Sequence, residues 1–304
     1  MLLLTHPSCL NHDPGEGHPE SPDRLRAVLE ALDHDRFAAL DRVEASPASR
    51  EQLLRVHAVS QVDKVFAAVP KIGTSYLDAD TGLSPDSLDA ALRAAGAMIN
   101  AVDAVLDGKT ARAFCAVRPP GHHATHDTAM GFCLFNNVAV GAAHALARGV
   151  QRVAIVDFDV HHGNGTQDIF WNEARVMYAS THQSPLYPGT GARSETGAGN
   201  IVNAPLTPLS GSVEFRAACN DTVLPALRAF KPELMLISAG FDAHRLDPLA
   251  NLNLDGDDYR WITERLIEIA REFGQGRVIS TLEGGYSLTA LRQSVAVHVE
   301  TLLD

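Results

Sequence analysis

Short apolar runs, rich in β-branched residues, recur along the chain with helix-period stretches between them. Met1-Leu2-Leu3-Leu4, Ala113–Val117, Val153–Phe158, Val176–Ser180, Leu234–Ala239 and Val278–Leu282 are apolar on both faces, the pattern of strands buried in a parallel sheet. Between them the pattern predicts helices. Ser21-Pro22 reads as N-cap and first helical residue of a helix running to about Asp35. A second helical stretch opens near Ala48, with His57 at its end, and a short amphipathic one covers Gln61 to Val69. Pro85 to about Leu106 is Ala-rich with small residues all round, a packing helix without chemistry. Asn136–Ala147, Gly165–Trp171, Val213–Phe230, Asp257–Phe273 and Leu288–Leu303 complete the set. Asn11–Glu20, Thr74–Ser84 and Gly189–Gly199 read as loops. Strand–helix alternation implies right-handed crossovers and a mostly parallel sheet covered on both faces, an α/β fold. No internal repeat, low-complexity tract or linker divides the chain, so one domain is expected.

The polar residues break this pattern at one kind of place. Gly121-His122-His123, Asp157 to Asn164, Ser238 to Pro248 and Glu283-Gly284-Gly285-Tyr286 each follow a buried apolar run. The strand ends of a parallel sheet share one edge, where ligands bind, so the clusters should converge. One polar strand end can be a capped turn; four together point to a site. Asp159 and His161 lie two apart, on the same face of an extended chain, and suit a zinc ion. A third ligand must come from another strand end, with Asp247 and Asp242 as candidates. The histidine pair His122–His123 is the natural acid–base element, since imidazole titrates near neutrality, and Asp157 and Asn164 can fix its tautomers. Tyr286, behind two glycines, is a phenol placed to donate to an oxyanion. The chemistry implied is metal-assisted hydrolysis of an amide-like carbonyl.

Bulk properties narrow the partners. With 304 residues, a net charge of -12 and 45% hydrophobic content, the chain argues against nucleic acid or anionic membrane and suits a cationic ligand such as a lysine-bearing peptide or a polyamine. No apolar run approaches the roughly 18 residues of a membrane span, and Met1-Leu2-Leu3-Leu4 is too short for a signal sequence. The four cysteines, Cys9, Cys115, Cys133 and Cys219, form no C-x-x-C pair and read as free thiols in a reducing compartment, so a cytoplasmic enzyme is expected. Self-association into a homo-oligomer is left open.

Arg118-Pro119-Pro120-Gly121-His122-His123, Asp157-Phe158-Asp159-Val160-His161-His162-Gly163-Asn164-Gly165, Ala239-Gly240-Phe241-Asp242-Ala243, Asp247-Pro248-Leu249 and Glu283-Gly284-Gly285-Tyr286 resemble, in order, the signatures of the zinc-dependent histone deacetylase family. The wording is similar to the class II branch and its bacterial histone deacetylase-like amidohydrolases; Asn164 stands where class I members carry Asp. The resemblance implies the three-layer arginase–deacetylase fold, with residues 1–304 as one catalytic domain. It implies zinc on Asp159, His161 and Asp247, with Asp242 structural. His123 would be the general base and then the acid that protonates the leaving amine, and His122, paired with Asp157, its electrostatic partner. Tyr286 would polarise the acyl oxygen. Phe132 and Tyr187 would wall a narrow tunnel for the lysine stem, with the Gly131 carbonyl receiving the amide N–H and Asp80 gripping the substrate backbone at the rim. A potassium ion would sit on Asp157, the backbone of Asp159 and His161, Ser180 and Thr181.

Other readings compete. His162 should point away from the site as a packing residue, and His244 takes a rim role ahead of ligation. His12, His18 and His57 read as loop or core histidines, the first two near the entrance. A phosphate cradle at Gly189-Thr190-Gly191 or Gly197-Ala198-Gly199 lacks the helix that must follow it. A binuclear manganese ureohydrolase shares the implied fold but needs an acidic ligand two residues after His161, where Gly163 stands. An acetylpolyamine hydrolase is the serious alternative. No large insertion lies between Lys71 and Pro85, and Leu254 occupies the gate position near the tunnel mouth with an apolar side chain, so acyl-lysine in a protein or peptide is favoured.

Overall fold

The structure is a computed structural model and describes residues 1–304. In chain order its strands are β1 (Leu2–Thr5), β2 (Asp41–Glu44), the short antiparallel pair β3 (Ser75–Tyr76) and β4 (Gly82–Leu83), β5 (Arg112–Cys115), β6 (Val153–Asp157), β7 (Val176–Gln183), β8 (Ile201–Leu206), β9 (Leu234–Ala239) and β10 (Val278–Leu282). Eight of them form one parallel sheet in the order β2-β1-β5-β10-β9-β6-β7-β8. The helices are α1 (Ser8–Asn11), α2 (Pro22–Leu32), α3 (Arg50–Leu53), α4 (Val59–Ala68), α5 (Ser87–Leu106), α6 (Asn137–Ala147), α7 (Asn164–Ile169), α8 (Ser212–Ala218), α9 (Leu224–Phe230), α10 (Gly256–Phe273) and α11 (Leu288–Leu303). Helices α5 and α6 pack together on one face of the sheet, and α2, α10 and α11 on the other. Every residue of β6, β9 and β10 is buried, as two covered faces require, and one apolar cluster of 80 buried residues spans the molecule, so a single core serves the whole chain.

The strand order places the polar clusters. They follow β5, β10, β9 and β6, four adjacent central strands, so the strand ends open side by side on one edge. The predicted α/β class and the central elements stand as expected. Two strands were missed, both at sheet edges. All four residues of β2 are exposed, three of them charged, so no apolar signal marks it. Strand β8 carries Pro205, tolerated because an edge strand has backbone groups with no ladder partner. Thr74–Ser84 holds the hairpin β3–β4 in place of an irregular loop. The stretch predicted as one helix over Val213–Phe230 is divided by a π turn at Cys219–Val223, beside Pro225, which has no N–H to donate to the preceding turn.

Behind the edge, a fully buried ionic frame ties three segments together. The Arg118 guanidinium grips the Glu20 carboxylate with two nitrogens, Nε to Oε1 and Nη2 to Oε2 (2.7 Å), and donates to the carbonyls of Cys9 and His12 at 2.9 and 3.1 Å. Arg24 pairs with Glu20 from the next turn (2.9 Å) and donates to the carbonyls of Glu283 and Gly285. Both guanidiniums therefore depend on one carboxylate, which they hold well below the usual carboxylate range despite its burial. Removing one partner of a buried pair strands the other's charge. Glu20→Ala is expected to destabilise the fold by about 3–5 kcal/mol, read from the denaturant midpoint; a midpoint within error of wild type would show the frame to be dispensable.

Candidate active site

The chain leaves β6 at Asp157, level with Ser180 on β7 and Ser238 on β9. From there its carboxylates are fixed by backbone donors. Asp157 Oδ1 accepts the Asp159 N–H (3.1 Å), and Asp159 accepts from His161 N–H (2.9 Å) and Gly284 N–H (2.8 Å). Asp242 Oδ1 accepts the Val160 N–H at 2.9 Å. His161 Nδ1 then lies 3.2 Å from Asp159 Oδ1 and 3.2 Å from Asp242 Oδ2. One N–H cannot be directed at both oxygens, and the ligand atoms of all three residues lie within 4.8 Å of one another. An imidazole nitrogen and two carboxylate oxygens at this spacing fit a single divalent cation such as zinc.

Asp242 thus lies within the cluster while its other oxygen holds the Val160 N–H. Asp247 stands beside it, with Oδ2 taken by the N–H groups of Tyr286 (2.7 Å) and Ser287 (3.2 Å) and Oδ1 by that of Leu249 (3.0 Å). Its neighbourhood is the turn that carries Tyr286, at the foot of the cavity.

The histidine pair is split by its partners. His122 Nδ1 donates to Asp157 Oδ2 at 3.0 Å, and its other nitrogen is 3.9 Å from Asp159. Burial alone would neutralise it, but the two carboxylates hold it protonated well above the ordinary histidine value. The His123 ring lies 4.1 Å away, and its Nδ1–H donates to Asn164 Oδ1 at 2.8 Å. Burial, with the positive charges of His122 and His161, drives His123 well below its ordinary value. One ring is a cation; its neighbour is a neutral base with Nε2 free. Two titratable groups pushed apart in this way mark an acid–base site.

A cavity of about 240 Å³ opens above them, lined by Asp80, His123, Gly131, Phe132, His161, Leu186, Tyr187, Leu249 and Tyr286. Gly131 and Phe132 both adopt left-handed backbone, at φ 56° and 68°. A Cβ on Gly131 would lie 2.6 Å from the His123 ring, so glycine is required there, and the strained Phe132 is turned into the wall. Tyr187 meets the His123 ring edge-on at 5.1 Å, and Phe132 meets Tyr286 at 6.0 Å.

The convergence of four strand ends therefore holds, and Asp80, Gly131, Phe132, Tyr187, His123, His161 and Tyr286 share one cavity. Asp157, Asp159, His122 and Asn164 are bonded to one another or to His123 behind it, with Ser180 level with Asp157, and Thr181 follows on β7. Leu254 does not line the cavity: it is 1% exposed, its N–H bonded to the Ala243 carbonyl, and it packs in the core. Leu254 therefore gates no tunnel. His244 is also buried, its Nδ1 accepting the Leu246 N–H, and has no place at the rim. His162 bonds Thr190 and Gln167, as a packing residue should. His18 reaches the entrance, edge-on to Phe132 at 4.7 Å, whereas His12 is buried against Glu20. Glu283 is a buried functional residue that its motif alone does not mark. Its Oε2 accepts the N–H groups of Gly121 (2.7 Å) and His122 (3.2 Å), fixing the histidine pair against the turn that carries Tyr286.

The Histone deacetylase domain model matches residues 18–302. The chain belongs to the histone deacetylase family. It is 45% identical to an uncharacterized protein of Synechocystis sp. over 100% of this chain and 99% of that one. It is 42% identical to the histone deacetylase-like amidohydrolase of Pseudomonas aeruginosa over 89% and 73% of the two chains. The solved HDA15 HD domain superposes with a TM-score of 0.93 at 36% identity, covering 100% of this chain and 91% of that one. Membership makes the chain a deacetylase or amidohydrolase and accounts for the fold. A Cβ at position 163 would lie 2.3 Å from Asp157 Oδ2 and 2.6 Å from the Tyr178 hydroxyl, so a side chain there requires both to shift. No helix is long and apolar enough to cross a membrane.

The hydrogen bonds of His161 to Asp159 and Asp242 outweigh burial and lift its pKa to about 10. A metal must displace the proton of His161, so affinity should rise with pH by up to about tenfold per unit below that value. Calorimetric titration of the metal-free deacetylase at neutral pH, in buffers of different ionisation enthalpy, should register proton release; none would show His161 to be neutral.

Proposed function

We propose that this deacetylase removes acetyl or other short acyl groups from the side-chain amine of lysine in proteins or peptides, with one zinc ion. The observation that carries the reading is the juxtaposition of neutral His123, cationic His122 and Tyr286 at the foot of an aromatic-walled cavity, directly over the Asp159–His161–Asp242 cluster. Asp159, His161 and Asp247 would hold the zinc. Asp247 is preferred to Asp242 because it is bonded to the backbone N–H groups of Tyr286 and Leu249, which line the cavity, whereas Asp242 anchors the Val160 N–H. Zinc bound there supplies a Lewis acid that polarises the acyl carbonyl and acidifies water.

The chain's own residues supply the rest. Phe132 and Tyr187 hold the aliphatic stem, the Gly131 carbonyl accepts the amide N–H, and Asp80 accepts from the substrate backbone at the rim. His123 Nε2 takes the proton of the attacking water as the new C–O bond forms. The Tyr286 hydroxyl donates to the oxyanion, and the fixed charge of His122 stabilises it. When the C–N bond breaks, His123 passes its proton to the leaving amine. A potassium ion on Asp157, the Asp159 and His161 backbone, Ser180 and Thr181 would support this floor; Asp157 and Ser180 are level on neighbouring strands. Four free buried cysteines suit a reducing compartment, and we place the enzyme in the cytoplasm.

Acetylated polyamine is the second reading, favoured by the rim carboxylate Asp80, with Asp78 beside it. Zinc-loaded protein offered acetyl-lysine peptide and acetylpolyamine in parallel should prefer the peptide in kcat/KM; preference for the polyamine reverses the substrate assignment. Tyr286→Phe should lose about 2.7–4 kcal/mol of transition-state stabilisation, read from kcat/KM; a rate near wild type would remove its hydroxyl from the reaction. Asp247→Ala should abolish stoichiometric zinc while Asp242→Ala retains it, measured by elemental analysis, and the reverse pattern would exchange their roles.

A further inference from the structure

Resting on the amide-hydrolase reading above, we propose that Tyr178 is a positioning residue for the reaction: its hydroxyl fixes the Asp157–His122 pair and the turn after His161 as one unit. Tyr178 belongs to β7 and pairs with Ile155 on β6, two residues short of the strand end. From there its long, rigid side chain reaches the level of the catalytic turn while remaining fully buried. The hydroxyl donates to Asp157 Oδ2 at 3.0 Å, the same oxygen that accepts His122 Nδ1–H at 3.0 Å. In return it accepts the Gly163 N–H at 2.9 Å. With Asp157 Oδ1 occupied by the Asp159 N–H at 3.1 Å, the carboxylate is held by three donors from three segments and has no freedom to rotate.

Only a group that both donates and accepts can close this chain, and a phenol does so on an apolar body that fills the core. Glycine at 163 is the other half of the arrangement. A Cβ there would lie 2.6 Å from the Tyr178 hydroxyl and 2.3 Å from Asp157 Oδ2. The space into which a carboxylate at position 163 would have to project is therefore occupied by the phenol. Without the hydroxyl, Asp157 loses a donor, the Gly163 N–H is left unpaired in the interior, and His122 loses the fixed orientation from which its ring meets His123 at 4.1 Å.

The test compares metal-loaded wild type with Tyr178→Phe on acetyl-lysine peptide and acetylpolyamine, recording kcat, KM, bound metal and melting temperature. The expected result is a fall in kcat of about 10- to 100-fold, with KM and metal content unchanged. A merely structural tyrosine is separated by repeating the substitution in a His122→Ala background. If Tyr178 acts through His122, the second loss should shrink to within about twofold, a marked departure from additivity. Equal losses in both backgrounds, or a wild-type kcat in Tyr178→Phe, overturn the proposal alone. Wild type inactive on both amides overturns the hydrolase reading and this proposal with it. Should the Phe variant fail to fold, 3-fluorotyrosine at position 178 keeps the shape and alters the donor. A changed kcat at constant KM, absent in the His122→Ala background, then supports the assignment, and an unchanged kcat ends it.

Discussion

Buried negative charge is what the strand-end edge of this molecule is built to neutralise. Asp157, Asp159, Asp242, Asp247 and Glu283 come from three adjacent strands, all buried, where an uncompensated carboxylate costs several kcal/mol. Three kinds of compensation meet there. The first is backbone: the N–H groups of Asp159, Val160, His161, Gly284, Tyr286, Ser287, Leu249, Gly121 and His122 all point into carboxylate oxygens. The second is the imidazolium of His122. The third is the proton of His161, whose Nδ1 lies 3.2 Å from both Asp159 and Asp242. The sharp turns after β5, β6, β9 and β10 follow from the first requirement, since an extended chain cannot aim successive N–H groups at one oxygen.

The same excess of negative charge makes the two adjacent histidines unequal. His122 faces carboxylates and is held cationic, whereas His123 faces the neutral amide of Asn164 and two positive rings. A carboxylate at position 164 would draw a proton onto His123 and narrow the difference. The amide instead fixes the ring through Nδ1–H while leaving Nε2 basic. Orientation is thus kept without charge, as a base that must first accept a proton requires.

Much of this was legible in the sequence because it follows from periodicity. Buried parallel strands are apolar on both faces, so β5, β6, β9 and β10 announced themselves, and the polar residues ending them could only fall on one edge. What escaped notice lacked that pattern. Strand β2 is exposed and charged, and β8 contains a proline, so neither resembles an interior strand. Leu254 and His244 were misplaced because sequence spacing says nothing of which way a loop folds back. A parallel bridge between His244 and Leu254 turns that segment inward, away from the tunnel mouth. The closeness of Asp242 to His161 is likewise a tertiary fact, set by β9 lying next to β6. Glu20 and Arg24 did carry a signal, the helical spacing of opposite charges, but nothing local distinguishes a buried pair from a solvated one.

Reaction and substrate are written in different parts of the molecule. The floor of the cavity is over-determined: each carboxylate and imidazole has several partners, so its chemistry tolerates little change. Arg24 extends this constraint to the upper layer, since its guanidinium bonds the carbonyls of Glu283 and Gly285 and covers the Tyr286 ring at 4.8 Å. The rim is the opposite case. Asp80, Tyr187 and Leu249 are exposed and lie outside the helices and strands. Side chains there can change without disturbing the buried charge balance. The floor therefore restricts the enzyme to amide hydrolysis, and the choice between a peptide and a smaller amine rests with the few exposed side chains at the mouth.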